Sequence, residues 1–210
     1  MNEQLKAAED ILAALSHSTH AIPLGPHAPI VEGGFAGMNK TDWIVCGPRA
    51  RVGAVLRGAT PERLADGNAG ARPSKVAPSS DAPGARALHA VGLAAGTGKP
   101  VLCFLGSASV AAGAFHEALN AAALTQAPVV FLVTLTPITD DAPVSQQLLA
   151  SPIDLAAAFG IDTLESTPTE KDVRAAVRKA RKTEKPTLIQ VKLELCHEDD
   201  EVQHGCCWRR

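Results

Sequence analysis

Gly106-Ser107-Ala108-Ser109 follows an apolar run from Pro100 to Leu105 and precedes an alanine-rich stretch. A strand that ends in this way before a helix aims main-chain N–H groups at the space beyond it, where the helix dipole also favours an anion. The same four residues also suit an ordinary strand-to-helix turn. Cys196, His197, His204, Cys206 and Cys207 form a second constellation, because thiolate and imidazole are the ligands zinc prefers. Adjacent Cys-His and Cys-Cys pairs diverge unless the backbone turns, and the spacing matches no standard finger, so an oxidisable tail is the competing reading. A third set, Lys171, Arg174, Arg178, Lys179, Arg181 and Lys182, lies along one predicted helix. It reads either as a dock for an acidic partner or as a solvated face whose late cations suit the helix dipole. His17, His20 and His27 are scattered and carry no comparable signal.

The elements that must position these groups follow from hydrophobic period. Residues 1 to 16 place Leu5, Ala8, Leu12 and Leu15 on one side of a helix that also carries charges, unlike the apolar block of a signal peptide. Gly67 to Gly84 is rich in Gly, Ala, Pro and Ser without helical or strand period, and reads as a long loop of the kind that borders sites. A short helix near Leu88 to Ala95, a strand at Pro100 to Leu105, a helix at Val110 to Gln126 and a strand at Pro128 to Leu135 make a βαβ unit. A helix from Ser151 to Phe159 and a strand from Ile161 to Glu165 follow. Thr169 with Asp172 then resembles a capping box opening the helix of Val173, Ala176, Val177 and Ala180, and Pro186 to Leu193 is the last strand. The prediction is an α/β fold in three layers, a mostly parallel sheet with helices on both faces. Its ligand edge lies beyond the carboxyl ends of the strands, at Gly106 and Thr136.

Bulk properties bound the function. The 210 residues, 46% of them hydrophobic, are enough for one sizeable core, so residues 1–197 are expected as a single domain and 198–210 as a flexible tail. Twenty Lys plus Arg against 22 Asp plus Glu give no general field for polyanions, and 3% aromatics without Tyr offer little for base stacking, which argues against nucleic acid. The apolar stretch Ala121 to Leu135 falls short of the roughly 20 residues that cross a bilayer, so no membrane partner is expected. Five cysteines without a disulfide-framework spacing suit a reducing cytoplasm.

Beyond these readings, GPHAPIVEGG (Gly25 to Gly34), TDWIV (Thr41 to Val45), HAVGLA (His89 to Ala94) and GAFHEALNAAAL (Gly113 to Leu124) form an ordered series. APVVFLV, PVSQQLLASP (Pro143 to Pro152), AAAFGI and KPTLIQV continue it. The series resembles the α subunit of the E1 component of thiamine-diphosphate-dependent 2-oxo acid dehydrogenases, over most of the chain. The resemblance implies the thiamine-diphosphate-binding fold and a site in which an Asp of a Gly-Asp-Gly segment, the second Asn of a pair and a main-chain carbonyl hold magnesium against the diphosphate. Magnesium is a hard cation usually held by one or two carboxylates plus phosphate oxygens.

At the matching positions this chain has Gly106, Ser107 and Ala108, then Leu135 and Thr136, with Ile138 for the carbonyl. No charge remains among them. Where the family has a Tyr-Arg pair and a His two positions on, this chain has Pro48, Arg49 and Arg51, so of these only Arg49 survives. A family Glu is Ala112 here, an Arg is Gln146, and a Tyr-Arg pair with a downstream His corresponds to Glu194, Leu195 and about Asp199, with His197 out of register. In the family the Glu that activates the cofactor comes from the β subunit, so the resemblance also implies that this chain alone is not a complete enzyme.

The expected function is therefore an E1α-like pseudoenzyme, without catalytic residues, cofactor or metal, kept for assembly or regulation. The Val110 to Gln126 helix, rich in alanine and apolar nearly all round, is the expected contact with a second copy or an E1β-like subunit, and His116 and Glu117 are read as polar struts within it. One alternative is a working E1α subunit that uses thiamine diphosphate and magnesium with a β subunit. The other is a zinc or thiol module in the tail, carried on an inert domain.

Overall fold

The computed structural model describes residues 1–15, 23–65, 74–78, 82, 84–137 and 143–193. Ile138 and the whole tail from residue 194, with its Cys/His set, lie outside them, as do Glu194, Leu195 and Asp199. The order of elements is α1 (Glu3–Leu15), a 3-10 turn (Gly25–His27) leading into α2 (Ala28–Gly37), β1 (Trp43–Val45), a 3-10 helix (Ala50–Arg57), α3 (Pro61–Ala65) and β2 (Val76–Ala77). Then come α4 (Ala85–Thr97), β3 (Val101–Gly106), α5 (Ser107–Ala111), α6 (Gly113–Thr125), β4 (Val129–Leu135) and α7 (Val144–Gln147). The last four are α8 (Pro152–Ala158), β5 (Asp162–Ser166), α9 (Glu170–Thr183) and β6 (Thr187–Lys192).

All six strands are parallel, in the order β2-β1-β3-β4-β6-β5. The central strands read VLCFL and VVFLV because parallel strands covered on both faces need apolar side chains at every position. Alternation then sorts them. Leu102, Phe104, Val130 and Leu132 join the core under α1, α2 and α9, whereas Val101, Cys103, Leu105, Val129, Phe131 and Val133 join the core under α4, α6 and α8. This is the three-layer α/β architecture the periodicity predicts.

Helix α2 lies between the sheet and α9. A Cβ added at Gly34 would stand 2.5 Å from Phe104 Cζ, and one at Gly33 would stand 2.6 Å from the Glu170 carbonyl oxygen and 2.8 Å from Val173 Cβ. Only glycine lets the helix approach both neighbours this closely. The other end of α9 is tied to the start of β1 by Arg181, whose Nε and Nη2 donate to the Asp42 carboxylate. That carboxylate is buried at 2% exposure and also accepts the Asn39 N–H, so one ion pair locks elements far apart in sequence.

Two helix starts carry side-chain caps. Ser151 Oγ accepts the N–H of Asp154, and Thr169 Oγ1 accepts that of Asp172. The reciprocal half of the box is replaced, because the Asp172 carboxylate accepts from the Thr167 and Thr169 hydroxyls, which holds its pKa below the ordinary value.

Three expectations need correction. The 67–84 stretch includes an edge strand, β2, whose two residues pair with Ile44 and Val45 and are too few to display a period. The helix near Leu88 to Ala95 is longer, running from Ala85 to Thr97. The Val110 to Gln126 helix is two helices, because Ala112 adopts an extended conformation (φ −76°, ψ 139°) between α5 and α6. Of the two, α6 is buried along one face. Phe115, Ala118, Leu119 and Ala122 face the core, while Glu117, Asn120 and Leu124 are exposed.

Candidate functional site

The sheet order reverses between β1 and β3. From there the chain runs outward one way to β2 and the other way to β4, β6 and β5. The crevice beyond the carboxyl ends of strands at such a reversal is where open α/β sheets bind ligands. Gly47, Pro48 and Arg49 leave β1 at this edge, and Gly106 to Ser109 leave β3 beside them. Thr136 leaves β4 next along.

Ser107 and Thr136 are in direct contact. The Thr136 N–H donates to Ser107 Oγ at 2.9 Å, and the Ser107 hydroxyl lies 3.2 Å from both the carbonyl oxygen and Oγ1 of Thr136. The register sets this up, since Gly106 pairs with Thr134 and the next residues of both strands emerge side by side. Ser107 is 5% exposed, whereas Ala108 faces outward. Gly106 borders open space, with no atom among the described residues within 4 Å of where a Cβ would stand. The helix expected to lend its dipole here is α5, and its five residues align few peptides.

At the β1 side of the crevice lies Arg86, a residue that carried no sequence signal. It belongs to the first turn of α4, is 6% exposed, and donates from Nη2 to Ser109 Oγ at 2.8 Å. The same Nη2 lies 3.2 Å from where a Cβ on Gly47 would stand, so the guanidinium packs against the end of β1. A second arginine of this region, Arg51, is 8% exposed.

Arg49 pairs with His27, one of the histidines that looked uninformative. Arg49 Nη1 is 2.6 Å from His27 Nε2. A guanidinium can only donate, so Nε2 accepts and the ring proton sits on Nδ1, which is buried with no partner among the described residues. Burial, and then the Arg49 charge, hold the His27 pKa down to about 4. At neutral pH the imidazole is therefore uncharged. Two folds of the chain bring the pair together: the 3-10 turn before α2 presents His27, and the turn after β1 presents Arg49.

Beneath the crevice, Cys46 and Cys103 are buried thiols. Burial pushes both pKa values up to about 12, against the smaller opposing pull of Arg57, Arg86 and Arg51 on Cys46 and of Arg86 on Cys103. Cys103 donates its thiol proton to the Arg86 carbonyl at 3.5 Å. These are packing residues with no nucleophilic character at neutral pH.

The sequence candidates therefore divide. Gly106, Ser107, Ala108 and Thr136 come together along adjacent strand ends, and Arg49 stands at the β1 edge. Gln146 is exposed on α7, and Ala112 sits in the break between α5 and α6. Among the described residues no three His, Cys, Asp or Glu side chains cluster as metal ligands do. Nor is any described helix long and apolar enough to cross a membrane.

Comparison with known proteins agrees with this fold. Residues 19–193 match the family described as dehydrogenase E1 component. No curated protein sequence matches the chain. Among solved structures, transketolase from Campylobacter jejuni superposes with a TM-score of 0.66 at 16% identity, over 90% of this chain and 36% of that one. A transketolase variant from Pichia stipitis gives 0.67 at 18% identity, over 90% and 35%. A putative thiamin diphosphate-dependent enzyme from Mycobacterium smegmatis gives 0.54 at 19% identity, over 80% and 32%. At such identities the superpositions establish the fold, and this chain spans about a third of each of those chains. The family match covers most of the sequence, and on that ground the chain belongs to the dehydrogenase E1 component family.

Proposed function

We propose that this chain is a degenerate E1α-like domain that does not carry out the family's chemistry and serves as an assembly or regulatory subunit. The observation that carries the proposal is the mutual bonding of Ser107 and Thr136. The two residues at the metal positions are neutral and already satisfy one another. Magnesium sheds its water reluctantly, and usually does so for carboxylates and phosphate oxygens. To serve as ligands here, two alcohols would have to give up bonds to each other and still supply no negative charge.

The neighbouring charges support the same reading. Arg86, anchored on Ser109 between β1 and β3, occupies space at the reversal point and adds positive charge close to any cation. The described donors therefore do not fit a magnesium diphosphate. The assembly surface in this proposal is the outer side of α6, where Leu124 is 77% exposed.

Titration calorimetry with thiamine diphosphate and magnesium is expected to give no heat of binding. Micromolar affinity would overturn the proposal in favour of a working α subunit that acts with a β subunit. Two observations favour that second reading: Arg49 is retained, and open space borders Gly106. Co-expression with a β-like partner, followed by assay with 2-oxo acids, separates the two.

A further inference from the structure

Helix α9 concentrates the positive charge of the molecule. The chain holds 20 Lys plus Arg and 22 Asp plus Glu; α9 takes six and two of these, which leaves fourteen and twenty for everything else. Five of the six cations, Lys171, Arg174, Arg178, Lys179 and Lys182, surround an open groove of about 600 Å³ whose one other lining residue is Ala175. The sixth, Arg181, turns inward to Asp42. Within the row, the one ion pair among the described residues is Arg174 with Glu170, at 3.3 Å. The platform is rigid, because Val173, Val177 and Ala180 are buried on the opposite face and α2 is fitted against it without side chains at Gly33 and Gly37.

The chain itself supplies a complementary segment. Glu198, Asp199, Asp200 and Glu201 are four consecutive acids. β6 ends at the carboxyl edge, where the Leu193 N–H still bonds the Leu135 carbonyl. The neighbouring strand β5 ends at Ser166 on the same edge, and α9 starts four residues later. Four residues lie between Leu193 and Glu198, which gives a reach of roughly 17 Å over the five steps when extended. The first two turns of α9 span about 11 Å.

We infer that the acidic run Glu198–Glu201 docks on the Lys171–Arg174–Arg178–Lys182 face of α9 and folds the C-terminal segment back onto the domain. Exposed ion pairs are individually weak, but several of them act together under the millimolar effective concentration of a short tether. A nucleic acid fits the same face less well. The row has no aromatic side chain for stacking, and the rest of the chain carries net negative charge. The inference does not depend on whether the strand-end crevice binds a cofactor.

The test is brief labelling with an amine-acetylating reagent, read by mass spectrometry at Lys171, Lys179 and Lys182, with Lys6 and Lys99 as exposed references. The full chain is compared with a chain ending at Leu195 and with the full-length E198Q/D199N/D200N/E201Q variant, which leaves every residue of the sheet and helices in place. At low ionic strength the α9 lysines of the full chain should react about two- to fivefold more slowly than in either altered form, and the difference should vanish at about 0.5 M salt, where the Debye length is only a few ångströms. Equal reactivity of the full chain and the quadruple variant overturns the inference. Protection that grows with protein concentration also overturns it, by assigning the face to another copy's tail. Protection that appears only when an oligonucleotide is added overturns it in favour of nucleic acid.

Discussion

The Ser107 side chain accepts the main-chain N–H of Thr136 at 2.9 Å, which joins the ends of β3 and β4. Ser107→Ala removes the acceptor and leaves a half-buried N–H with one bond fewer. The expected cost is about 1–2 kcal/mol, or roughly 3–6 °C for a domain of this size. Thermal denaturation of the variant checks it. An unchanged midpoint would mean that the contact stores no stability.

The His27–Arg49 pair makes stability depend on pH with a definite sign. Folded His27 has a pKa near 4, below its ordinary 6.5, so the unfolded chain takes up a proton that the folded chain refuses. The contribution is complete above pH 6.5, declines as pH falls, and is exhausted below about 4. Between these limits the loss approaches about 1.4 kcal/mol per pH unit. Denaturant midpoints for the native chain and His27→Gln should therefore converge as pH drops from 7 to 4.5. Parallel curves would contradict the assignment.

Two glycine-to-alanine changes in helices should have opposite signs. At Gly33 the new methyl meets the Glu170 carbonyl at 2.6 Å and Val173 Cβ at 2.8 Å, and a carbonyl cannot swing aside as a side-chain tip can. Gly33→Ala is expected to destabilise by about 1–3 kcal/mol. At Gly92, exposed in α4, nothing lies within 4 Å and Gly92→Ala should stabilise by about 0.5–1 kcal/mol. Chemical denaturation of the two variants in parallel decides.

Asp42→Ala leaves Arg181 without its carboxylate and the Asn39 N–H without its acceptor. Arg181 keeps a quarter of its side-chain surface in water, so the loss should sit near the lower end for a broken buried pair, about 3 kcal/mol. The Arg181→Ala single variant should cost similarly, and the double variant less than the sum. Full additivity in the cycle would show that the two side chains do not interact.

Cys46 and Cys103, with pKa values near 12, should resist alkylation in the folded chain at pH 8. Peptide mapping after iodoacetamide treatment should find both unmodified until denaturant is added. Rapid labelling without denaturant would show that the sheet opens locally at β1 and β3.

Some of this molecule was legible in the residues alone. The buried strands announce themselves because parallel pairing covered on both faces leaves no place for polar side chains, and the two capped helices because Ser151 and Thr169 act on backbone three residues away. In contrast, α2, the 3-10 helix at Ala50–Arg57 and β1 left no usable period. α2 is buried on almost every side and β1 is three residues long, so neither displays an exposed face with which to alternate.

What the sequence by itself determined, then, was the layered α/β class and the order of its central elements, both of which rest on local period. Only the tertiary structure decided that His27 meets Arg49, that Arg86 crosses to Ser109 and that Asp42 meets Arg181. The three pairs are separated by 22, 23 and 139 residues. Contacts of that kind are set by strand order and by how closely helices approach one another, and these exist only once the sheet has closed its two cores.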